Sequence, residues 1–272
     1  MPGFDYQRNP FLGPGLFPPS SGVGARTLLG HGAEPKKRKA YFAFHYDDIM
    51  RVNNVRNAWK IDHPESSLAR SFYDSSLWES RKLEGDDAIK GLIRTGVQYT
   101  SAVCVLVGSA TWSRRWVKYE IARAVIDGRG LLAVHINGLT HHQRGTADPL
   151  GYNPLRVLGI YRAATGQFFL YEQREVTTSL LGNQTVWQWL PYKDYTQSVP
   201  LPRFFAAPDV GYVRPLSVGA HEYDFVAGGG HRNIGAWIDD AAQAVRPFVA
   251  TGYRCPAWPN TSAHLCTFIP HP

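Results

Sequence analysis

Short apolar runs alternate along this chain with segments whose apolar residues recur every three or four positions. The first run, Ala40-Tyr41-Phe42-Ala43-Phe44, stops at His45-Tyr46-Asp47-Asp48 and has the length and aromatic content of a buried strand. From Ile49 to Ile61, Val52, Val55, Ala58 and Trp59 fall at helical spacing, and Asp47 or Asp48 can cap that helix. Leu68 to Tyr73 fits a short second strand, Ser75 to Glu84 a loop, and Asp86 to Gly96 a helix with Ile89, Leu92 and Ile93 turned inward. The clearest strand, Ser101 to Val107, is apolar from Ala102 onward, as a strand covered on both faces should be. A helix from about Ser113 to Asp127, closed by Gly128, and a buried strand from Leu131 to Ile136 come next. Alternation of this kind predicts an α/β fold, an open parallel sheet with helices on both faces.

Between about 138 and 220 the pattern weakens into Pro, Gly, Tyr and polar residues, with Gln167 to Glu172 and Val186 to Leu190 suited to strands. We read this stretch as an elaborated insertion within the domain rather than a second domain with its own core. A final strand (Tyr223 to Val226), the turn Gly228-Gly229-Gly230 and a helix from Asn233 to Val245 complete the sheet. Residues 1–35, rich in Gly, Pro and Ser, read as a flexible arm, and 248–272 as a Pro-rich tail, leaving 36–247 as the folded domain.

Composition narrows the class. Hydrophobic residues make up 44% and charged residues 19% of 272, which suits a folded soluble chain and not a disordered one. No apolar run approaches the ~20 residues of a membrane-spanning helix, and no apolar stretch follows a basic start as in a secretory leader, so a cytoplasmic protein without a membrane partner is expected. The net charge of +7 owes much to Lys36-Lys37-Arg38-Lys39, which abuts the first strand; a nuclear localisation signal is the weaker reading, and no nucleic-acid motif accompanies the charge. Cys104, Cys255 and Cys266 have no metal spacing; Cys104 reads as a buried thiol, and a reducing compartment fits the set better than a Cys255–Cys266 bridge. No metal site is expected.

In open parallel sheets, ligands bind beyond the carboxyl ends of the strands. Three segments qualify: His45 to Arg51, Ser109 to Glu120, and the glycine turn. The second contains Ser113-x-x-Trp116-x-x-x-Glu120. Ser113 suits an N-cap, and Trp116 and Glu120, four apart, share a helix face. An indole beside a carboxylate partly desolvates it and favours a dry pocket. An ordinary amphipathic helix with an exposed Glu remains open on this pattern alone. The glycine turn lacks the Gly-Lys-Ser/Thr ending of a phosphate loop and suits a flexible start to its helix. His141-His142 reads as loop polarity.

That segment resembles the third-helix motif of TIR domains, in which the Glu is required for NAD cleavage. Phe42-Ala43-Phe44-His45-Tyr46-Asp47-Asp48, Phe72-Tyr73-Asp74, Ser76-Leu77-Trp78-Glu79, Gly85-Asp86-Asp87-Ala88-Ile89-Lys90 and Trp116-Val117-Lys118-Tyr119-Glu120-Ile121 together resemble the TIR-like ThsB proteins of the Thoeris anti-phage system. Tyr223-Asp224-Phe225 and Asn233-Ile234-Gly235-Ala236-Trp237-Ile238 resemble that family's last strand and helix. The likeness runs over roughly 38 to 247. It implies a TIR/flavodoxin-like fold and an enzyme that breaks the nicotinamide–ribose bond of NAD, with NAD as substrate and no separate cofactor. Glu120 is the catalytic candidate. Phe44 and Trp116 are candidates to pack on nicotinamide or ribose, Asp47, Asp48 and Arg51 to line the mouth with His45, Ser109 to contact phosphate, and Trp78 to shape the pocket. Because nicotinamide leaves neutral, no general acid is needed, and one carboxylate can stabilise the oxocarbenium-like transition state.

The resemblance further implies an ADP-ribose-derived messenger, a cyclic isomer or an amino-acid conjugate, that activates a ThsA-type effector, with a phage-derived trigger and self-association on activation. Ala43 stands where many TIR domains carry Ser, and the arm and insertion exceed a minimal TIR domain. Two other readings stay open: a non-catalytic TIR scaffold or sensor acting through protein contacts, and a phosphorelay domain of the same shape. The second lacks the Asp expected at the end of the middle strand, which closes on Val107-Gly108-Ser109.

Overall fold

The computed structural model describes residues 39–62, 85–178, 184–243 and 267–268. Its first three strands are β1 (Ala40–Ala43), β2 (Ala102–Val107) and β3 (Gly130–His135); the ninth, β9 (His221–Asp224), joins them in a wholly parallel sheet of order β1-β2-β3-β9. Strand alternation decides what each face receives. Tyr41 and Ala43 turn to one face with Val103, Val105, Leu131 and Ala133, whereas Phe42 and Phe44 turn to the other with Cys104, Leu106, Leu132 and Val134.

Helices α1 (Ile49–Asp62) and α4 (Gly230–Gln243) cover the second face with Val52, Val55, Trp59, Ile234, Trp237 and Ile238. Helices α2 (Asp86–Gln98) and α3 (Arg115–Ile126) cover the first. On α2 the buried residues Ile89, Ile93 and Val97 are spaced by four, which keeps one side of the helix on the sheet. The predicted open parallel sheet with helices on both faces is therefore the observed architecture. The expected strand Leu68–Tyr73 and the arm 1–35 lie outside the described residues, as does most of the 248–272 tail.

Several boundaries differ from the periodicity. Ser113 does not cap α3: Thr111–Ser113 form a 3-10 turn, Ser113 Oγ donates to Ala110 O (3.1 Å), and the helix starts at Arg115. Gly128, with φ 62°, closes that helix as expected. Asp47 and Asp48 give no helix cap, because their carboxylates face His45 and Arg51. Strand β9 ends at Asp224, two residues before the expected end, since Asp224 Oδ1 accepts from Val226 N and Ala227 N (2.9 and 2.7 Å) and turns the chain. Gly230 already belongs to α4; a Cβ there would lie 2.3 Å from the Phe225 ring. The glycines thus permit close packing of the turn.

The insertion forms a second, antiparallel sheet from β4 (Leu158–Arg162), β5 (Phe168–Thr178), β6 (Gln184–Pro191), β7 (Ser198–Val199) and β8 (Tyr212–Pro215), with β10 (Thr267–Phe268) pairing β8. The two strands expected here are the cores of β5 and β6. Leu155, Leu158, Ile160, Leu170, Tyr192 and Phe204 join the same buried cluster as Val117, Ile121 and Val125 of α3, so one core is shared between the two sheets.

A half-buried cluster of His135, Arg156 and Glu222 ties the insertion to the parallel sheet. Glu222 of β9 meets His135 Nε2 at 2.8 Å and accepts from Arg156 at 3.2 Å. Burial works against the ionised form, but His135 and Arg156 hold the Glu222 carboxyl down to about 2, against an ordinary 4.5. A depressed folded pKa gives stability that is complete above the unfolded value and is lost as pH falls through the folded one. Replacing Glu222 by Gln should therefore lower stability at neutral pH by about 3 kcal/mol. Denaturant titrations of the two proteins should converge as pH falls from about 5 to about 2, the window set by the depressed pKa; parallel curves across it would contradict the pairing.

Candidate active site at the carboxyl edge of the parallel sheet

Two of the three segments singled out in the sequence meet at this edge. The loop after β1 and the loop after β2 touch at Gly108, where a Cβ would stand 2.0 Å from Asp48 Oδ2. Only a glycine lets the buried Asp48 carboxylate lie against the backbone there. Asp48 accepts from Arg51 (2.5 Å), and the same guanidinium nitrogen donates to Asp148 (2.6 Å), which also accepts from Arg144 (3.0 and 2.5 Å). Burial raises the Asp48 pKa against the pull of Arg51. Burial also works against ionisation of Asp148, but Arg144 and Arg51 prevail and lower its pKa. The alternating charges fasten the 137–148 loop across the ends of β1 and β2, and hydrogen bonds between Asn137 and Asp148 close that loop at its base.

His45 sits half-buried at the rim. Its pKa is lowered by burial and then by the positive charge of Arg114, while Asp47 and Asp48 oppose the shift. A neutral imidazole therefore prevails near pH 7. Asp47 and Ser109 are exposed. Three aromatic rings, absent from the sequence reading, gather next to Ser109: Trp112 packs on Tyr152 (centroids 6.3 Å) and on Trp187 of β6 (6.2 Å). The loop bearing Tyr152 rides directly over the end of β2, for a Cβ on Gly151 would lie 1.9 Å from Gly108 O.

Glu120 lies in the second turn of α3 and is fully buried at 0% exposure. Tyr41 Oη, from β1, donates to Glu120 Oε1 at 2.7 Å. Trp116, one turn earlier, is half-buried, stands edge-on to Tyr119 (6.3 Å, 89°) and carries the Arg115 guanidinium over its ring at 4.7 Å. The helix is anchored on two sides. Arg115 donates to Asp86 of α2 (2.6 Å) and Asp194 (2.8 and 3.1 Å), Lys90 of α2 pairs with Asp194 (2.8 Å), and Lys118 donates to Glu172 of β5 (2.6 Å).

The remaining candidates lie elsewhere. Phe44 faces α1 and α4, with Arg56 over its ring at 5.0 Å, on the opposite side of the sheet from Glu120. The glycine turn follows β9, three strands along from β1, roughly 14 Å away at ordinary strand spacing. Trp78 is outside the described residues. Tyr41, Trp112, Asp148 and Trp187 were missed. A tyrosine in an apolar run reads as core, and the other three take their meaning from partners far along the chain.

A parallel α/β sheet with a buried glutamate on the helix after its second described strand defines a TIR-like domain. Residues 41–141 match the family model described as Thoeris protein ThsB, TIR-like domain. The chain is also 35% identical over 207 residues to a Bacillus cereus (strain MSX-D12) protein named "Putative cyclic ADP-D-ribose synthase ThsB1", covering 74% of this chain and 99% of the relative. The chain belongs to the ThsB family of TIR-like Thoeris proteins.

The Gly108 contact makes a prediction about the edge. Gly108→Ala should push Asp48 away and break the Asp48–Arg51–Asp148 bridge, at about 1–3 kcal/mol of stability, the range for overpacked sites. Urea denaturation measures it, and a variant as stable as the parent would contradict the close approach.

Proposed function

We propose that this chain is an NAD-cleaving signalling enzyme in which Glu120 stabilises the transition state of nicotinamide–ribose cleavage. The carrying observation is the carboxylate itself: fully buried on α3 and hydrogen-bonded by Tyr41 of β1. A buried carboxylate in an apolar surrounding acts on developing positive charge far more strongly than one in water. The relative's printed name, a cyclic ADP-D-ribose synthase, supports the same reaction class.

In this reading the C1′–N bond of NAD breaks and nicotinamide leaves neutral with the bonding pair. Positive charge builds on the ribose, and Glu120 stabilises it and hydrogen-bonds the ribose hydroxyls. A nucleophilic group of the same nucleotide then attacks C1′ and loses a proton, giving nicotinamide, a cyclic ADP-ribose isomer and H⁺. NAD is the substrate and no separate cofactor takes part. In this reading the exposed Arg114 and Ser109 meet the pyrophosphate, and the Trp112–Tyr152–Trp187 rings meet a base. The product acts as a diffusible messenger for a ThsA-type effector, after a phage-derived trigger. Among the described residues no helix is long and apolar enough to cross a membrane.

Glu120→Gln should remove the product while preserving the fold. Mass spectrometry of small molecules from phage-infected cells should show an ADP-ribose-containing species with the parent chain and none with the variant, a loss of at least 100-fold on the scale of removing one transition-state electrostatic group. Matching profiles with both chains still protective would replace the enzyme by a TIR scaffold.

A further inference from the structure

Transfer of a carboxylate from water into a packed apolar interior costs several kcal/mol unless hydrogen bonds replace the lost solvent. Glu120 stands in such an interior. The face of the sheet it meets carries Val103, Val105 and Ala43, α2 contributes Ile89 and Ile93, and its own helix contributes Val117 and Ile121. Lys118, Arg115 and Lys90 of the same helix layer pair with Glu172, with Asp86 and Asp194, and with Asp194.

The phenol of Tyr41, 79 positions earlier in the chain and itself only 3% exposed, reaches the carboxylate at 2.7 Å. Its delivery follows from the strand. Tyr41 and Ala43 share a face of β1, and Ala43, one pleat closer to the rim, contributes only a methyl there. The phenol O–H is the donor in this bond and the carboxylate oxygen the acceptor.

We propose that Tyr41 is a positioning residue of the reaction: its O–H holds the Glu120 carboxylate in its ionised form and in one rotamer, ready for the ribosyl cation. This rests on the assignment of Glu120 given above. Tyr41 touches no substrate atom; it acts through Glu120. A hydrogen bond donated to the charged form favours that form, so the bond's loss should move the protonation of Glu120 to higher pH. Loss of a bond to a charged group should slow turnover and leave substrate affinity nearly unchanged.

The test uses the full chain and Tyr41→Phe, which keeps the ring and removes one oxygen. Nicotinamide release from NAD is followed across pH. The expected result is a kcat lower by roughly ten- to a hundredfold, a KM within about twofold, and an acidic limb displaced to higher pH. In the Glu120→Gln background the same substitution should change little, since the two residues act as a unit. A second readout needs no turnover: NMR of side-chain carboxyl-labelled glutamate, with the Glu120 signal identified by its absence from Glu120→Gln, should titrate at higher pH in Tyr41→Phe. An active parent whose Tyr41→Phe variant keeps its kcat, acidic limb and NMR midpoint overturns the proposal and leaves the NAD reading intact. So does a variant that merely melts earlier with an unshifted midpoint. A shifted midpoint in a parent inert toward NAD even in infected cells overturns the NAD reading and retains the pairing of Tyr41 with Glu120.

Discussion

A carboxyl group held inside a packed helix–sheet interface is the constraint around which this domain is arranged. Glu120 has no exposed surface, and water cannot offset its burial as it does for surface acids. The surrounding structure must fix α3 at one height and rotation so that Tyr41 and Glu120 meet at 2.7 Å. Ion pairs do this on both flanks, to α2 through Arg115 and to β5 through Lys118. Each pair is worth little where it is exposed. Their joint effect is geometric: they leave the helix no direction in which to slide.

The antiparallel sheet takes its meaning from the same helix. A parallel sheet with helices on both faces is already a complete two-sided core, so the insertion is not needed to bury β2. It instead covers the outer side of α3 and supplies Glu172 and Asp194, which hold the helix, and Trp187, which meets the loop ahead of it. The half-buried His135–Glu222–Arg156 cluster fastens the start of the insertion to β3 and β9. Helix, insertion and sheet therefore form one packed body in which a change at β5 is felt at α3.

At the carboxyl edge, close approach replaces side-chain bulk. Gly108 admits the Asp48 carboxylate and Gly151 admits the overlying loop. The resulting floor is rigid and charged, with the acids neutralised by Arg51 and Arg144. Asp48 and Arg51 were natural candidates for contact with a ligand. Their mutual engagement makes them part of the frame that sets the mouth's shape.

Local pattern was enough for the parallel layer. Ala102–Val107 could only be a doubly covered strand, and the spacing of Ile89 and Ile93 could only be a helix lying on it. The Ser-x-x-Trp-x-x-x-Glu segment placed Glu120 on the right helix, because i,i+4 neighbours are a property of the chain alone. What surrounds that residue is not local. Tyr41 and Glu120 are 79 positions apart, Arg51 and Asp148 are 97, and no periodicity links such pairs. Phe44 shows the reverse case: it lies beside His45 in sequence, yet strand alternation sends it to the opposite face from Glu120. The antiparallel strands were half-legible for a related reason. Their residues pack against α3 and against one another across turns of Pro and Gly, and burial set by a distant helix leaves no two-residue rhythm to read. Sequence determined which elements form and which carboxylate stands out; tertiary structure decided its partner, its burial and which neighbours share its face, since those depend on how elements far apart in the chain are brought together.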